Sequence, residues 1–207
     1  MTDSSSDTRK AILERVRKST SLLPEKTPYP DYPNDVARSA PHLQEENPLE
    51  NFRKNFETAH GIFFDTVSKL KEYLLKENFR VGFCDPALLD IFHSALAPEI
   101  ELTTTFDRSR IDVCAFGITR AAGAIAETGT IILNDETTCT RLGALAPWVH
   151  VAIISPKLIH ETIGDAISAL GKDPNTIWAT GPSKTADVEG ILIEGVHGPG
   201  VQACLFI

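Results

Sequence analysis

Two stretches of the sequence share one pattern that restricts the fold more than any other feature. Val81–Cys84 is followed by Asp85 and Pro86, and the apolar run 149–155 (VHVAIIS) is followed by Pro156. Short continuous apolar runs are typical of strands buried on both faces. Asp or Ser followed by Pro is typical of a first helical turn, because proline lacks an N–H that this turn leaves unpaired. Two such units predict a mainly parallel sheet covered by helices.

The rest of residues 48–207 fits an α/β fold. We predict that the helix after Pro156 runs to Gly171, and that apolar residues at steps of three and four between Phe52 and Leu74 form one helix of about six turns. Candidate strands are Glu101–Phe106, Val113–Ile118, Gly123–Glu127, Thr130–Leu133, Thr176–Thr180, Ile191–Val196 and Val201–Phe206. We therefore expect a Rossmann-like, mainly parallel sheet with helices on both faces and antiparallel additions. No G-x-G-x-x-G follows the first strand, so the sequence lacks the usual sign of dinucleotide binding.

Residues 1–47 differ in composition from the rest of the chain and are predicted to lie outside the main domain. Ala11, Ile12 and Val16 among charged residues predict a short helix in the first 20 residues or so. The segment Ser19–Pro48 holds six of the chain's 13 prolines. Proline fixes φ and removes a donor, so this segment predicts an extended arm or linker.

Composition narrows the classes of partner and cofactor. The net charge is −8 and no basic stretch occurs, which argues against nucleic acid or an anionic membrane as the main partner. No apolar run approaches the ~18 residues of a membrane helix, and no secretory signal begins the chain, so we expect a cytoplasmic protein without membrane insertion. The four cysteines are scattered without a C-x-x-C pair, so neither a metal site nor a cofactor is predicted.

Four candidate site segments follow predicted strands. Ligands of open α/β sheets bind at the carboxyl ends of the strands, which selects Asp85, Gly117–Arg120, Gly181–Thr185 and His197. Asp85 is explained by helix capping alone. Gly181–Thr185 is either a surface turn or a loop that opens a helix near Thr185, whose free N–H groups would bind an anion together with Lys184.

Two acids and two histidines complete this list. Asp187 and Glu189 would be favourable acids in the first turn of that helix. His197 lies among glycines and either approaches a ligand or is hydrogen-bonded within a Gly-rich hairpin. His150 begins an apolar strand, where we expect a half-buried side chain with its hydrogen bonds satisfied.

Glu127 is the carboxylate with the most unusual setting, inside GAIAETGTIIL (123–133). Glu127-Thr128-Gly129-Thr130 predicts a tight hairpin, because glycine tolerates positive φ. In one interpretation Glu127 is a nucleophile or an acid–base group, and the N–H groups of Thr128, Gly129 and Thr130 bind an oxyanion. In the other, Glu127 is a turn residue hydrogen-bonded to Thr128 or Thr130.

Two longer stretches together resemble a known family. GITRAAGAIAETGTIILN (117–134), followed by Arg141 and APWVHVAII, resembles the central signature of the LUD domain family, and GPSKTADVEGILIEGVHGPG (181–200) resembles its C-terminal signature. The resemblance covers roughly residues 50–207 and points to the small LutC/YkgG type. It implies a fold like the NagB, ribose-5-phosphate isomerase and CoA-transferase group. It also implies a role in bacterial L-lactate utilisation beside iron–sulfur proteins that oxidise lactate to pyruvate.

The chemistry of these segments and the resemblance together give the expected site residues. Glu127 and His197 are the expected catalytic residues, and the expected ligand-binding residues are Thr128, Gly129, Thr130, Gly181, Ser183, Lys184, Thr185 and Asp187. Lys184 stands where the family often has arginine, which removes a bidentate anion contact.

Two functional hypotheses of different classes follow. One is a non-redox component of the lactate system that binds a small anionic molecule, with a homodimer as one candidate state. The other is a stand-alone enzyme with CoA-transferase- or isomerase-like chemistry and Glu127 as nucleophile or base, by analogy with the Glu-Asn-Gly of class I CoA transferases. A metabolite sensor is a third possibility.

Overall fold

The computed structural model describes residues 3–21, 47–107, 112–171, 173, 175–187 and 190–207. The chain divides into two compact units, Met1–Ala37 and Arg38–Ile207. In the first unit, helix α1 (Asp3–Thr20) confirms the predicted N-terminal helix. Most of the predicted arm, residues 22–46, lies outside the described residues, so the arm and the domain boundary at residue 47 stay predictions.

The second unit alternates helices and strands. Its helices are α2 (Pro48–Thr58), α3 (Val67–Lys76), α4 (Leu89–Leu96), α5 (Arg141–Leu145) and α6 (Ile163–Ala169). Its strands are β1 (Ile62–Phe64), β2 (Val81–Cys84), β3 (Glu101–Thr103), β4 (Phe116–Arg120), β5 (Gly123–Ile125), β6 (Thr130–Asn134), β7 (Val149–Ile154), β8 (Ile159–His160), β9 (Thr176–Ala179), β10 (Lys184–Thr185), β11 (Ile193–Glu194) and β12 (Val201–Phe206).

Three sheets carry these strands. The central sheet has six strands in the order β1-β12-β7-β4-β2-β3, and all of its pairings are parallel. A four-stranded sheet, β8-β5-β6-β9, adds the antiparallel pairs β5–β6 and β6–β9. β10 and β11 form a separate antiparallel ribbon. The mainly parallel α/β fold predicted from the sequence is confirmed.

Two apolar cores cover the two faces of the central sheet. On one face, Leu70 and Leu74 of α3 pack with Phe92 and Leu96 of α4. On the other face, the four-stranded sheet packs together with α2 and α5, as shown by the buried cluster of Phe52, Phe56, Ala124, Ile131 and Ala144. Helices therefore lie on both faces, as predicted.

Three buried polar side chains cross the middle of the central sheet. Oγ1 of Thr119 on β4 lies 2.9 Å from Nε2 of His150 on β7. Nδ1 of His150 lies 2.9 Å from Nε2 of Gln202 on β12. All three residues are 0–2% exposed. We call Thr119, His150 and Gln202 the polar ladder. His150 is fully buried rather than half-buried, and its hydrogen bonds are satisfied, as buried polar groups require.

The predicted six-turn helix between Phe52 and Leu74 is wrong. α2 ends at Thr58, β1 pairs with β12, and α3 starts after its N-cap Thr66. The helix ends because His60 has a φ of 70°, which is in the left-handed region. The apolar residues keep helical spacing across residues 59–66, although the backbone there is not helical.

Both strands of the predicted strand–cap–proline units are confirmed, as β2 and β7. The helix predicted from Pro156 to Gly171 is not a single helix. Asp85 Oδ1 accepts a hydrogen bond from the Ala87 N–H, and Pro86 opens a short 3-10 turn before α4. Ser155 makes no such side-chain bond, and Pro156–Leu158 is one 3-10 turn. The chain then enters β8, and a new cap, Thr162, starts α6, which ends at Ala169. The segment predicted as one helix after Pro156 is therefore divided into a 3-10 turn, β8 and α6.

Several predicted strands are shorter or shifted. Ile191–Val196 is reduced to β11, Glu101–Phe106 to β3, and Val113–Ile118 is moved to β4. Strand pairing, which depends on distant partners, sets these ends. Val201–Phe206 is confirmed in full as β12.

Burial of His150 makes the stability of the fold depend on pH. Desolvation lowers the pKa of His150 from 6.5 to about 4. Because the unfolded chain then binds a proton more readily than the folded one, stability is full above pH 6.5 and falls as the pH drops toward 4. We expect a loss on the order of 2 kcal/mol between pH 7.5 and 5 from this residue.

Urea unfolding of the wild type and of His150→Gln at several pH values checks this expectation. The loss in that range should be smaller in His150→Gln, whose side chain carries no charge at any of these pH values. The same pH dependence in both proteins would contradict a neutral, buried His150.

Candidate functional site

The predicted site residues near residues 181–200 lie at the amino ends of the central strands, not at the carboxyl ends. The Val201 N–H donates to the carbonyl of Trp148, which directly precedes β7. The Ser183 N–H donates to the carbonyl of Pro199 at 2.9 Å, and the Gly195 N–H donates to that of Ser183 at 2.8 Å. The placement of His197 at the carboxyl rim is therefore wrong, because the strand before it belongs to the ribbon and not to the central sheet.

The helix expected near Thr185 is also absent from the described residues. Lys184 and Thr185 form β10 and pair with Glu194 and Ile193 of β11. Ser183 has both backbone groups engaged in long-range bonds, so the chain here is held extended. Asp187 accepts a hydrogen bond from Oγ1 of Thr185 at 2.6 Å and is not a first-turn acid. Glu189 lies outside the described residues.

The ribbon carries a small group of charges. Glu194 Oε1 lies 3.4 Å from Nζ of Lys184 and 2.9 Å from Nδ1 of His60. The hydrogen bond from His60, together with Lys184, lowers the pKa of Glu194. His60 and Glu194 were missed by the sequence analysis, because they are 134 residues apart and no local pattern connects them.

A cleft of about 550 Å³ opens beside the ribbon. Its lining includes Asp112, Cys114, Trp148, Gly195 and His197. We call it the amino-end cleft, because Cys114 and Trp148 come just before β4 and β7. The cleft is thus built where the two strands of the sheet begin.

His197 and Trp148 give the amino-end cleft its character. His197 Nε2 lies 4.0 Å from Oδ2 of Asp187, and both side chains are exposed. A Cβ on Gly195 or Gly200 would lie 2.5 or 2.4 Å from the ring of Trp148, so the two glycines let the chain pass against the indole. With Asp112, which also lines the cleft, an imidazole, a carboxylate and an aromatic side chain surround one opening.

Glu127 is positioned by three other elements. Its Oε2 accepts a hydrogen bond from the N–H of Ile163, the first residue of α6, at 3.1 Å. Its own N–H donates to the carbonyl of Glu161 at 3.0 Å. Asn55 of α2 donates from Nδ2 to the carbonyls of Ala126 and Glu127 at 2.7 and 3.2 Å. The half-buried carboxylate therefore caps α6, an interaction that an acid at a helix N-terminus makes favourably.

The hairpin predicted at residues 127–130 is confirmed. β5 and β6 pair antiparallel on either side of it, and Gly129 has a φ of 64°. A Cβ on Gly129 would lie 2.2 Å from the backbone nitrogen of Phe56, so the turn packs directly on α2. Glycine is required here both by conformation and by space.

A chain of hydroxyl groups connects the two signature stretches. Oγ1 of Thr130 lies 2.6 Å from Oγ1 of Thr128 and 2.7 Å from Oγ1 of Thr180. Thr180 precedes Gly181, which has a φ of 72° and no room for a Cβ beside the carbonyl of Ala59. The expected site residues thus fall into two groups. Thr128–Thr130 lie near Gly181, and Ser183–Asp187 lie beside the segment that carries His197, which itself lines the amino-end cleft.

A different polar pair lies at the carboxyl ends of β2 and β4. Asp85 is 1% exposed, and its Oδ2 accepts a hydrogen bond from Nε of Arg120 at 2.8 Å. Thr138 donates from Oγ1 to the carbonyl of Arg120 at 3.0 Å. Burial raises the pKa of the neighbouring Cys84 to about 12, so its thiol stays protonated. Asp85 is the predicted cap and also a partner of arginine.

Among the described residues, no group of three or more His, Cys, Asp and Glu side chains is arranged to hold a metal ion. No helix within those residues is long and apolar enough to cross a membrane.

The architecture and the two polar ends of the sheet define an α/β protein with a parallel core and an attached antiparallel sheet. The LUD domain family matches the chain over residues 87–207, which is more than half of its length. The chain therefore belongs to the LUD domain family, as its two signatures suggested.

Several proteins similar to this chain carry one name. Lactate utilization protein C of an Exiguobacterium species is 29% identical over 220 residues, which covers 92% of each chain. Lactate utilization protein C of Deinococcus radiodurans is 36% identical over 88 residues, 40% of this chain and 41% of that protein. In this second comparison the alignment spans less than half of the relative.

One solved structure is similar in fold. It is a DUF162 family protein from Deinococcus radiodurans, with a TM-score of 0.55 and 20% sequence identity. The match covers 77% of this chain and 95% of that chain. It supports the α/β architecture.

The capping role of Glu127 predicts the effect of its removal. Glu127→Ala should lower the free energy of unfolding by about 1 kcal/mol, because α6 loses a charged N-terminal acceptor. Glu127→Gln keeps an acceptor and should cost less. Urea denaturation measures both. The control is Glu161→Ala, which removes an exposed carboxylate while keeping the backbone carbonyl that Glu127 uses; an equal loss in the control would contradict the capping role.

Proposed function

We propose that this protein is a non-redox component of an L-lactate utilisation system and binds a small anionic ligand in the amino-end cleft. Membership of the LUD domain family and the shared name of its relatives support the first part. One observation carries the second: Gly195 and His197 of the C-terminal signature line the cleft beside Trp148, and Ser183 of the same signature is hydrogen-bonded to Gly195 and Pro199.

The charges at the cleft favour an anion that carries a further polar group. His197 is a cation when protonated, and Lys184 lies on the adjoining ribbon. Asp112 and Asp187 supply acceptors close to the same opening. A ligand with a carboxylate and a hydroxyl or amino group would match both the cationic imidazole and the carboxylate acceptors. Asp187 would orient His197 toward it.

The partners proposed for this component are the iron–sulfur proteins that carry out the oxidation of lactate to pyruvate. The resemblance to the LUD domain family supports this assignment. Copurification of the tagged chain from lactate-grown cells is the corresponding measurement, and the same preparation reports whether the chain is a homodimer.

A growth experiment tests the proposed function. Cells lacking the protein should fail to grow on L-lactate and should grow normally on glucose. Wild-type protein should restore growth on lactate, whereas His197→Ala should restore it poorly because the cleft loses its imidazole. His93→Gln, an exposed substitution on α4, is the matched control and should restore growth in full.

Protein abundance is measured in parallel, so that a folding defect is not taken for a loss of function. Normal growth on lactate without the protein would overturn the role in lactate utilisation. Full growth with His197→Ala at wild-type abundance would overturn the proposed use of the cleft.

The alternative is an enzyme that uses Glu127 as nucleophile or base. Its half-buried side chain, directly before Thr128 of the hydroxyl chain in sequence, favours this alternative. The test incubates purified protein with acyl-CoA donors and carboxylic acids. This alternative predicts transfer that falls by at least about a hundredfold in Glu127→Gln. Unchanged transfer in that variant would remove Glu127 from the reaction.

A further inference from the structure

Open α/β sheets form a crevice where neighbouring connections diverge, and the strand order places that point at the carboxyl ends of β2 and β4. β2 continues through α4 to the edge strand β3, whereas β4 continues through β5, β6 and α5 to β7 on its other side. α4 packs on one face of the sheet, and β5, β6 and α5 pack on the opposite face. Ligands of open α/β sheets bind where two neighbouring connections diverge in this way.

Asp85 and Arg120 occupy this crevice. Asp85 is 1% exposed and is held on both carboxylate oxygens, by the Ala87 N–H at 2.9 Å and by Nε of Arg120 at 2.8 Å. Its backbone N–H also donates to the carbonyl of Ile118 on β4. The fixed carboxylate therefore holds Nε of Arg120 at the end of β4.

The guanidinium of Arg120 retains unused donors. Its side chain is 42% exposed, and within the described part of the chain Nη1 and Nη2 donate to no acceptor. Two parallel N–H groups of an arginine fit the two oxygens of a carboxylate. An ion pair with one exposed member contributes little net stability, so stability alone does not explain an Asp85–Arg120 pair at a switch point.

We propose that Arg120, oriented by Asp85, binds the carboxylate of a small organic acid in the crevice between β2 and β4. This site lies at the opposite end of the sheet from the amino-end cleft. It uses no residue of that cleft and is independent of the ligand proposed there.

NMR titration of the full chain with L-lactate and with pyruvate tests the proposal. Either acid should produce saturable shift changes at the Ala87 amide and at the Arg120 Nε–H group. Lactamide has the same size without the charge and should produce none. Shift changes confined to residues 195–198 would support the amino-end cleft and overturn the Arg120 site. Absence of a saturable change at Ala87 and Arg120 with both acids would also overturn it.

Variants separate the guanidinium from its positive charge. Arg120→Lys should weaken binding at least about tenfold, since a lysine keeps the charge without the paired donors. Arg120→Gln alone would leave Asp85 buried without its partner, so the double variant Asp85→Asn/Arg120→Gln is used to remove both charges. In this variant the acids should no longer change the shift of the Ala87 amide.

Arg141→Gln is the matched control, because Arg141 pairs with Asp135 at the surface and should not affect binding. Wild-type affinity in Arg120→Lys and in the folded double variant would overturn the proposal. Equal weakening in Arg141→Gln would reduce the effect to general electrostatics and would overturn it as well.

Discussion

The parallel pairing of β4, β7 and β12 is the constraint on which the rest of the second unit depends. β7 is buried along its whole length and pairs with a parallel strand on each side. The polar ladder joins the same three strands through side chains, with His150 in the centre. Because the three side chains are buried, their directional hydrogen bonds restrict the relative position of the strands more than apolar contacts would.

Both polar ends of the molecule are consequences of this arrangement. Trp148 and Cys114 precede β7 and β4, so the amino-end cleft forms where these strands begin. Arg120 ends β4, so its guanidinium lies at the opposite end, against Asp85. α5 can cover the same sheet because Gly117 leaves room for the carbonyl of Gly143. A shift of β4 relative to β7 would displace both ends together.

The sequence predicted what local chemistry decides. The strand 81–84, its cap Asp85, the hairpin at Gly129 and the parallel sheet were predicted correctly, because cap, turn and apolar patterns act over a few residues. The long helix was wrong, since periodicity does not detect the left-handed His60. The prediction that His197 lies at the carboxyl ends of the strands was also wrong, because its position depends on which sheet the preceding strand joins. The contact of His60 with Glu194 corresponds to no local sequence pattern, because the two residues are 134 positions apart.

The central claim is that a neutral, buried His150 holds together the strands that position both ends of the molecule. NMR titration of the two imidazole nitrogens of His150 tests it most directly. Because burial lowers the pKa of His150 to about 4, the account predicts nitrogen shifts that stay nearly constant from pH 8 to about 5. A titration midpoint near the ordinary histidine value, about 6.5, would show a solvated imidazole and would contradict the account.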